Sequence, residues 1–395
     1  MLGEVAILGA GCICAAGPTL DACLETMLAG KGEPAAPTHF ICEQAVTYPV
    51  FEVPQKWVDS SSISAGRSAN LLHMAVHDAL DGVPDVLSVQ NELRVGVCIG
   101  TSVGASLDFL DFYRSWKAGK KPQLAPILHY LAGNLAEGLA VHYDLSGPCQ
   151  TVTNACTSGA DAIGIAAAWI RAGWCDVAIA GGADALSEIS YNGFARLMNT
   201  SPEPCRPFDK DRRGLNLGEG AGVLLLASTN VAERFGAPRR GRVAGYGTCG
   251  DAYNLTAPHP EARGLLQALD TALGQARITC EDVACVNVHG TGTKANDLVE
   301  GHVLRDRFSQ SLVFATKGFT GHTLGAAGAM EAAFTLACLE RGVLPPSKGF
   351  GEPDPAIGLS PVACPTAFSG RFGLSQSLAF GGNNSVLILE KEDRR

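Results

Sequence analysis

The sequence predicts an α/β fold in which central sheets are covered by helices, and three observations predict it. Short β-branched runs alternate with Ala-rich helical stretches, which is the pattern of strands buried on both faces. Glycines, 47 in 395 residues, gather in runs such as Gly100 to Gly104, Gly181-Gly182 and Gly381-Gly382, where backbones approach something closely. Two Ala-rich blocks of equal length, GADAIGIAAAWIRAG from Gly159 and GAMEAAFTLACLERG from Gly328, share a texture. Taken alone, those blocks fit a duplication and a chance likeness of Ala-rich helices equally well.

In chain order, VAILGAGCICAAG reads as a buried strand and turn, because Glu4, Gly9 and Gly11 and the lack of a basic leader exclude a signal peptide. Val95 to Ile99, Asp176 to Ala180, Gly222 to Ala227, Val283 to Val288 and Ser385 to Leu389 read as strands. Ala160 to Arg171 and Ala329 to Arg341 read as buried helices that stop at Gly173 and Gly342. The segment RVAGYGTCG from Arg242 faintly repeats VAILGAGCIC, which places a boundary near residue 240: one half over 1–240 and a second over 241–395, with Val231 to Arg242 as connector.

The composition narrows the function. A hydrophobic share of 46% in so long a chain supports a large globule with a deep core. A net charge of −9 lacks the positive field that attracts nucleic acid or anionic membranes. No apolar run reaches the ~18 residues of a membrane span. Among the 14 cysteines there is no C-x-x-C and no Cys/His cluster in zinc spacing, so they read as reduced thiols of a cytoplasmic protein, with no metal site.

Four segments carry chemistry. In TVTNACTSGADAIG, Cys156 lies between a strand and the first turn of a helix, where unpaired N–H groups and the helix dipole favour a thiolate. In VNVHGTGTKANDLVE, His289 enters a loop of small residues, with Asp297 and Glu300 following at helical spacing. In ATKGFTGHTLGAAGAMEAA, Lys317 and His322 precede the second Ala-rich helix and Glu331 lies inside it. In SLAFGGNNSVLIL, the Gly381-Gly382 turn frees backbone N–H groups near Phe380 to bind an oxyanion, since no phosphate-loop or dinucleotide glycine pattern is complete.

These blocks in this order, together with CRPFDKDRRGLNLGEGAGVLLL, resemble the elongating β-ketoacyl-[acyl-carrier-protein] synthases of the thiolase-like superfamily over nearly the whole chain. The resemblance implies a five-layered αβαβα fold of two related halves. It implies a Cys-His-His centre at Cys156, His289 and His322, supported by Lys317 and Glu331, with Phe380 as a gate before Gly381 and Gly382 and with Asp297 and Glu300 behind the centre. It implies decarboxylative condensation of an acyl chain on Cys156 with a malonyl thioester, substrates delivered by an acyl carrier protein on phosphopantetheine, no other cofactor, and a homodimer or a heterodimer with a chain-length-factor-like paralogue. His322 followed by Thr323 argues against a priming synthase, which carries Cys-His-Asn.

The pattern departs from the family at the carrier-docking run. VDSSSISAGRSANLL holds Arg67 as its one positive charge, so Arg206, Lys210, Arg212 and Arg213 are the substitute basic patch. Phe109, Phe112, Tyr113 and Trp116 make one stretch rich in aromatics; core packing at helical spacing is the expected reason, and a pocket for an unusual chain such as an aryl polyene is the alternative. Rival functions are a non-catalytic chain-length factor, which would lack Cys156, and a thiolase acting on coenzyme A thioesters.

Overall fold

The computed structural model describes residues 3–40, 42, 45–59, 66–83, 87, 93–107, 109–125, 127, 128 and 134–392. The strands are β1 (Val5–Cys14), β2 (Val95–Gly100), β3 (Cys149–Val152), β4 (Val177–Asp184), β5 (Gly220–Ser228), β6 (Gly241–Gly250), β7 (Val283–Asn287), β8 (Leu312–Phe314), β9 (Val343–Leu344), β10 (Thr366–Ala367), β11 (Phe372–Ala379) and β12 (Asn383–Lys391). The principal helices are α1 (Leu20–Leu28), α2 (Arg67–Leu80), α3 (Leu110–Lys117), α4 (Leu135–His142), α5 (Ser158–Arg171), α6 (Glu188–Arg196), α7 (Arg263–Ala276), α8 (Lys294–Arg307) and α9 (Ala327–Arg341).

Ten strands form one sheet in the order β3-β2-β4-β5-β1-β6-β12-β11-β7-β8. Read outward from the β1–β6 junction, each half has the same sense of pairing: antiparallel at β1–β5 and β6–β12, antiparallel at β5–β4 and β12–β11, then parallel to the edge. The faint sequence echo between β1 and β6 thus falls on strands in equivalent places. The six expected strands appear as β1, β2, β4, β5, β7 and β12, and both Ala-rich helices as α5 and α9. The expected connector holds a short helix over Thr229–Arg234 before β6 begins at Gly241.

Three apolar clusters define the layers. Helices α5, α9 and α1 share a central cluster with one face of the sheet. Helices α2 and α4 cover the opposite face of the first half, and α7 and α8 that of the second. With the two five-strand halves of the one sheet both packed on the central helices, helix, sheet, helix, sheet and helix follow in turn, which is the five-layered thiolase-like arrangement. Strand β1 shows how side chains are assigned to layers. Val5 and Ile7 face the central cluster and Ala6 and Leu8 the outer one; the register slips between Ile7 and Gly9, after which Ala10, Cys12 and Cys14 face inward and Ile13 outward. One extra residue in a strand reverses which face its later side chains occupy.

The central layer brings the two halves together. Helices α5 and α9 cross where neither has room for a side chain: a Cβ on Gly159 would lie 2.8 Å from the Gly325 carbonyl, and one on Gly328 would lie 2.8 Å from Cβ of Ala160. The N-terminal ends of both helices, each preceded by a reactive turn, therefore meet at one place.

The aromatic stretch departs from expectation. Helix α3 buries none of its residues, and Tyr113 and Trp116 remain 47% and 63% exposed, so these rings do not fill the core.

Gly159→Val is expected to lower the melting temperature, through overpacking of about 1–3 kcal/mol, and to slow acylation of Cys156. Gly274 on α7 has nothing within 4 Å of its absent Cβ. Gly274→Ala should therefore raise the melting temperature by about 0.4–1 kcal/mol equivalent, measured by thermal denaturation in parallel.

Candidate active site

Cys156 sits in a 3-10 turn, Ala155–Thr157, between β3 and α5. The turn requires Ala155 to adopt φ 49°, a left-handed conformation that a non-glycine residue holds only when its surroundings over-determine it. Those surroundings converge on Asp161, which accepts from Asn154 Nδ2 (2.6 Å), Thr157 Oγ1 (2.8 Å) and Tyr246 Oη (2.9 Å). The second half repeats the device at Leu324–Ala326 before α9, with Leu324 at φ 54°. There the anchor is buried Asp184, which accepts from Gly325 N (2.7 Å), Ser102 N (2.7 Å) and Thr101 Oγ1 (2.7 Å).

The two turns and the loop after β7 bring three side chains together. Sγ of Cys156 and one ring nitrogen each of His289 and His322 lie within 4.8 Å of one another, all buried. The imidazoles meet edge to face with centroids 5.2 Å apart. Each histidine is held from behind through Nδ1: Leu324 N–H donates to His322 (3.2 Å), and Lys317 Nζ lies 3.3 Å from His289. An Nδ1 that accepts leaves the hydrogen of a neutral ring on Nε2, so both rings present N–H groups to the cavity. The same trio has the donor types of a zinc site, but a nitrogen that carries hydrogen has no lone pair for a metal. Burial, and then the Lys317 charge, hold both histidines well below their ordinary value, so they stay neutral.

Lys317 is itself buried, and its ammonium is the link between halves of the site. It pairs with Glu331 on α9 and donates to the His289 carbonyl (2.5 Å). Burial pushes the Glu331 carboxyl up to about 7, against the pull of Lys317. Glu300 clamps the other side of the loop, accepting from the backbone N–H of His289 (2.6 Å) and Gly290 (2.9 Å) and from Gln376 (2.7 Å). Asp297 accepts from Phe208 N (2.8 Å) and Gly292 N (3.2 Å). These carboxylates shape the loop and do not reach the cavity trio.

Phe380 precedes Gly381 and Gly382, whose φ values of 87° and 77° make the turn that presents its backbone. The Phe380 N–H points at Sγ of Cys156, and its ring stacks on Phe194 with centroids 5.4 Å apart. The cleft outside has a volume of about 360 Å³; Met198, Thr291, Thr293 and Lys294 line it along with Cys156 and Phe380.

Two expectations need correction. Burial pushes the Cys156 thiol up to about 12, outweighing the Lys317 charge and the Phe380 N–H, so the resting nucleophile is a thiol and not the thiolate that its place at a helix start suggests. The basic patch also divides. Arg67 is committed to buried Glu219 (2.5 Å), and Arg212, 4% exposed, to Asp354 (2.5 Å) with Asp297 at 3.8 Å, because buried carboxylates need a cation. Burial keeps Arg212 from the surface, whereas Arg67 stays partly exposed, 18% at its side chain, while held by Glu219. Lys210 pairs with Glu352 at the surface, Arg213 pairs with Glu203 (2.9 Å) at the cleft wall, and Arg206 is half-buried. Residues 60–65 of the neighbouring serine-rich stretch lie outside the described residues.

Sequence reasoning missed Asp161, Asp184 and Phe194. Asp161 stands inside the NACTSGADA block and was legible as a cap of the nucleophile turn, whereas Asp184 and Phe194 act on partners distant in sequence and carried no local signal.

Alkylation of Cys156 by iodoacetamide, followed by peptide mass spectrometry, is expected to accelerate about tenfold per pH unit from pH 7 to 9, as a thiol with a raised pKa demands. A plateau below pH 8 would mean that the thiolate is already formed.

Residues 58–232 match the family Beta-ketoacyl synthase, N-terminal domain, and residues 240–350 match Beta-ketoacyl synthase, C-terminal domain. The chain is 32% identical to the 3-oxoacyl-[acyl-carrier-protein] synthase 2 of Synechocystis sp., over 98% of both chains. Among solved structures it resembles "The ishigamide ketosynthase/chain length factor" at 31% identity and TM-score 0.91 over 100% of both chains. It also resembles a ketosynthase (ApeO) in complex with its chain length factor (ApeC) from Xenorhabdus doucetiae, at 30% identity and TM-score 0.84 over 99% and 98% of the two chains. With a buried cysteine and two neutral histidines joined across two like halves, and with both family domains matched in order, this chain belongs to the β-ketoacyl synthase family.

Proposed function

We propose that the protein is a 3-oxoacyl-[acyl-carrier-protein] synthase: it joins an acyl chain held on Cys156 to malonate carried by an acyl carrier protein, releasing carbon dioxide. The observation that carries this reading is the convergence of the Cys156 thiol with two histidines whose N–H groups both face the cavity.

Cys156 first attacks the thioester of the incoming chain. A new C–S bond forms as the old one breaks, and the thiol proton ends on the departing pantetheine thiol. In this reading the N–H groups of Cys156 and Phe380 hold the tetrahedral oxyanion during this exchange, supported by the Phe380 N–H lying beside the Cys156 sulfur. When malonyl thioester takes the vacated cleft, the two Nε2–H groups donate to its thioester carbonyl. They stabilise the enolate that forms as the carboxylate leaves as carbon dioxide. Decarboxylation supplies the carbanion, so donors suffice and no strong base is required. The carbanion attacks the acyl carbonyl, Cys156 departs as the leaving group, and a 3-oxo chain two carbons longer remains on the carrier. Lys317, which holds His289 by its carbonyl and Nδ1, keeps that ring in the donor tautomer.

A thiolase acting on coenzyme A thioesters and a silent chain-length factor are both less well supported, since the trio is complete. Pairing with a chain-length-factor-like paralogue is favoured over a homodimer by the two ketosynthase/chain length factor structures at 30% identity or more, and by the exposed aromatic face of α3. We place the boundary between halves near residue 240, in keeping with the repeated strand order, and the protein in the reducing cytoplasm, in keeping with its free cysteines. Among the described residues no helix is long and apolar enough to cross a membrane.

Intact mass after incubation with acyl-carrier thioesters tests the reading. Wild type should gain an acyl adduct that malonyl carrier discharges as 3-oxo product, and Cys156→Ala should gain none. His289→Ala and His322→Ala should load but fail to decarboxylate malonyl carrier, with losses of 10² or more for each missing oxyanion donor. No adduct with any chain length sinks the proposal in favour of the silent partner.

For docking, Arg206, Lys210 and Arg213 remain once buried Arg212 is set aside, with Arg67 partly exposed beside Glu219. Arg206→Glu is expected to raise the KM for carrier-bound substrate severalfold while leaving that for a short pantetheine thioester unchanged, as steering by surface charge requires. An equal effect on both substrates would remove Arg206 from the docking surface.

A further inference from the structure

The condensation uses one cysteine, yet three others converge elsewhere in the central layer. The register slip between Ile7 and Gly9 turns Cys12 and Cys14 inward on β1, and Cys23 meets them from α1. Their three sulfurs lie within 4.8 Å of one another, with Cys14 and Cys23 at 3.5 Å, and all three residues are fully buried. Three thiolates at ~2.3 Å around one ion stand ~3.4 to ~4.0 Å apart, so the Cys14–Cys23 pair at 3.5 Å is already at that spacing and the third sulfur closes on an ion by a shift on the order of 1 Å.

We propose that Cys12, Cys14 and Cys23 form a chelating site for a trivalent thiophilic ion, arsenic(III), between β1 and α1.

Charge selects the ion. The cluster shares its layer with Leu20, Leu24 and Met27. Asp78, whose carboxylate accepts from the backbone N–H of Cys12 (2.9 Å) and Leu20 (2.8 Å), adds an acid beside it. Arg240, which donates to the Ala10 carbonyl on the same strand, is taken up by Glu340 (2.6 Å). Three thiolates around zinc(II) would leave one negative charge in this apolar place, and around copper(I) two, without a cation to offset them. Around arsenic(III) they leave none. Soft sulfur ligands also suit such an ion.

The exchange balances without an oxidant or reductant. Arsenous acid gives up three As–O bonds, the cysteines three S–H bonds, three As–S bonds form, and three waters leave. The Cys23 thiol at present donates to the Gly17 carbonyl (3.2 Å), but that oxygen also accepts from Cys14 N (3.0 Å), so binding strands no buried acceptor. Access requires α1 to lift from β1. The outer face of α1 is tied down by exposed ion pairs from Arg341 to Asp21 and Glu25, which are weak in water.

Native mass spectrometry of the Cys156→Ala protein with arsenite is the test, because it removes the reactive thiol that would compete. One bound arsenic is expected, with a mass gain of one arsenic less three hydrogens, and the melting temperature should rise with arsenite. Cys12→Ala and Cys23→Ala should abolish both changes; Cys98→Ala and Cys338→Ala, buried thiols outside the cluster, should keep them. X-ray absorption on the Cys156→Ala protein should find three sulfurs and no oxygen around arsenic, a readout that stands even if a cluster variant fails to fold. Arsenic retained by folded Cys23→Ala, oxygen still bound to arsenic, or tight binding of zinc(II) or copper(I) but not arsenite would each overturn the assignment.

Discussion

The close crossing of α5 and α9 is the constraint from which the site follows. Because Gly159 and Gly328 leave no side chain between the helices, their N-terminal turns are forced into the same small volume. One turn supplies Cys156 and the other is preceded by His322, so the cysteine and one of its partners come from different halves with their reactive atoms within 4.8 Å. The third member, His289, arrives from the loop after β7, the strand that occupies in the second half the place that β2 holds in the first. The duplication thus builds one asymmetric site at the meeting point of two similar turns.

Both turns are held in a left-handed backbone conformation, at Ala155 and Leu324, and each has a buried aspartate to hold it. A single strained residue costs of order 1–3 kcal/mol. Asp161 and Asp184 gather several donors each, and hydrogen bonds to charged groups are worth about 1.5–3 kcal/mol apiece, enough to offset that cost. The consequence for chemistry is rigidity: the cysteine sulfur and the N–H groups around it hold their places before any substrate enters.

A second economy lies in the electrostatics of the centre. Burial by itself would leave Lys317 and Glu331 as isolated charges, but Lys317, in the turn after β8, pairs with Glu331 on α9. Burial first, and then the positive charge of Lys317, keep both imidazoles neutral, and Lys317 orients one of them from a place too deep to touch substrate. The cysteine pays in the opposite sense, since the same burial keeps it a thiol until the acyl exchange removes its proton.

The sequence by itself determined the α/β class and the two small-residue helices, and it singled out Cys156, His289 and His322 at their junctions, with Lys317, Glu331 and Phe380 given their roles by the family resemblance. Those features are local: a glycine turn, a strand running into a helix, and the residue types at their junction. Only the tertiary structure decided the rest. It set the protonation of Cys156, because desolvation depends on what surrounds a group and outweighed the helix start. It buried Arg212 and tied Arg67 to a carboxylate, because whether a cation is free depends on an acid distant in sequence, Asp354 or Glu219. It left the aromatic face of α3 uncovered, although helical spacing alone suggested a core. In each case the deciding partner lies far along the chain, where periodicity and spacing carry no information about contact.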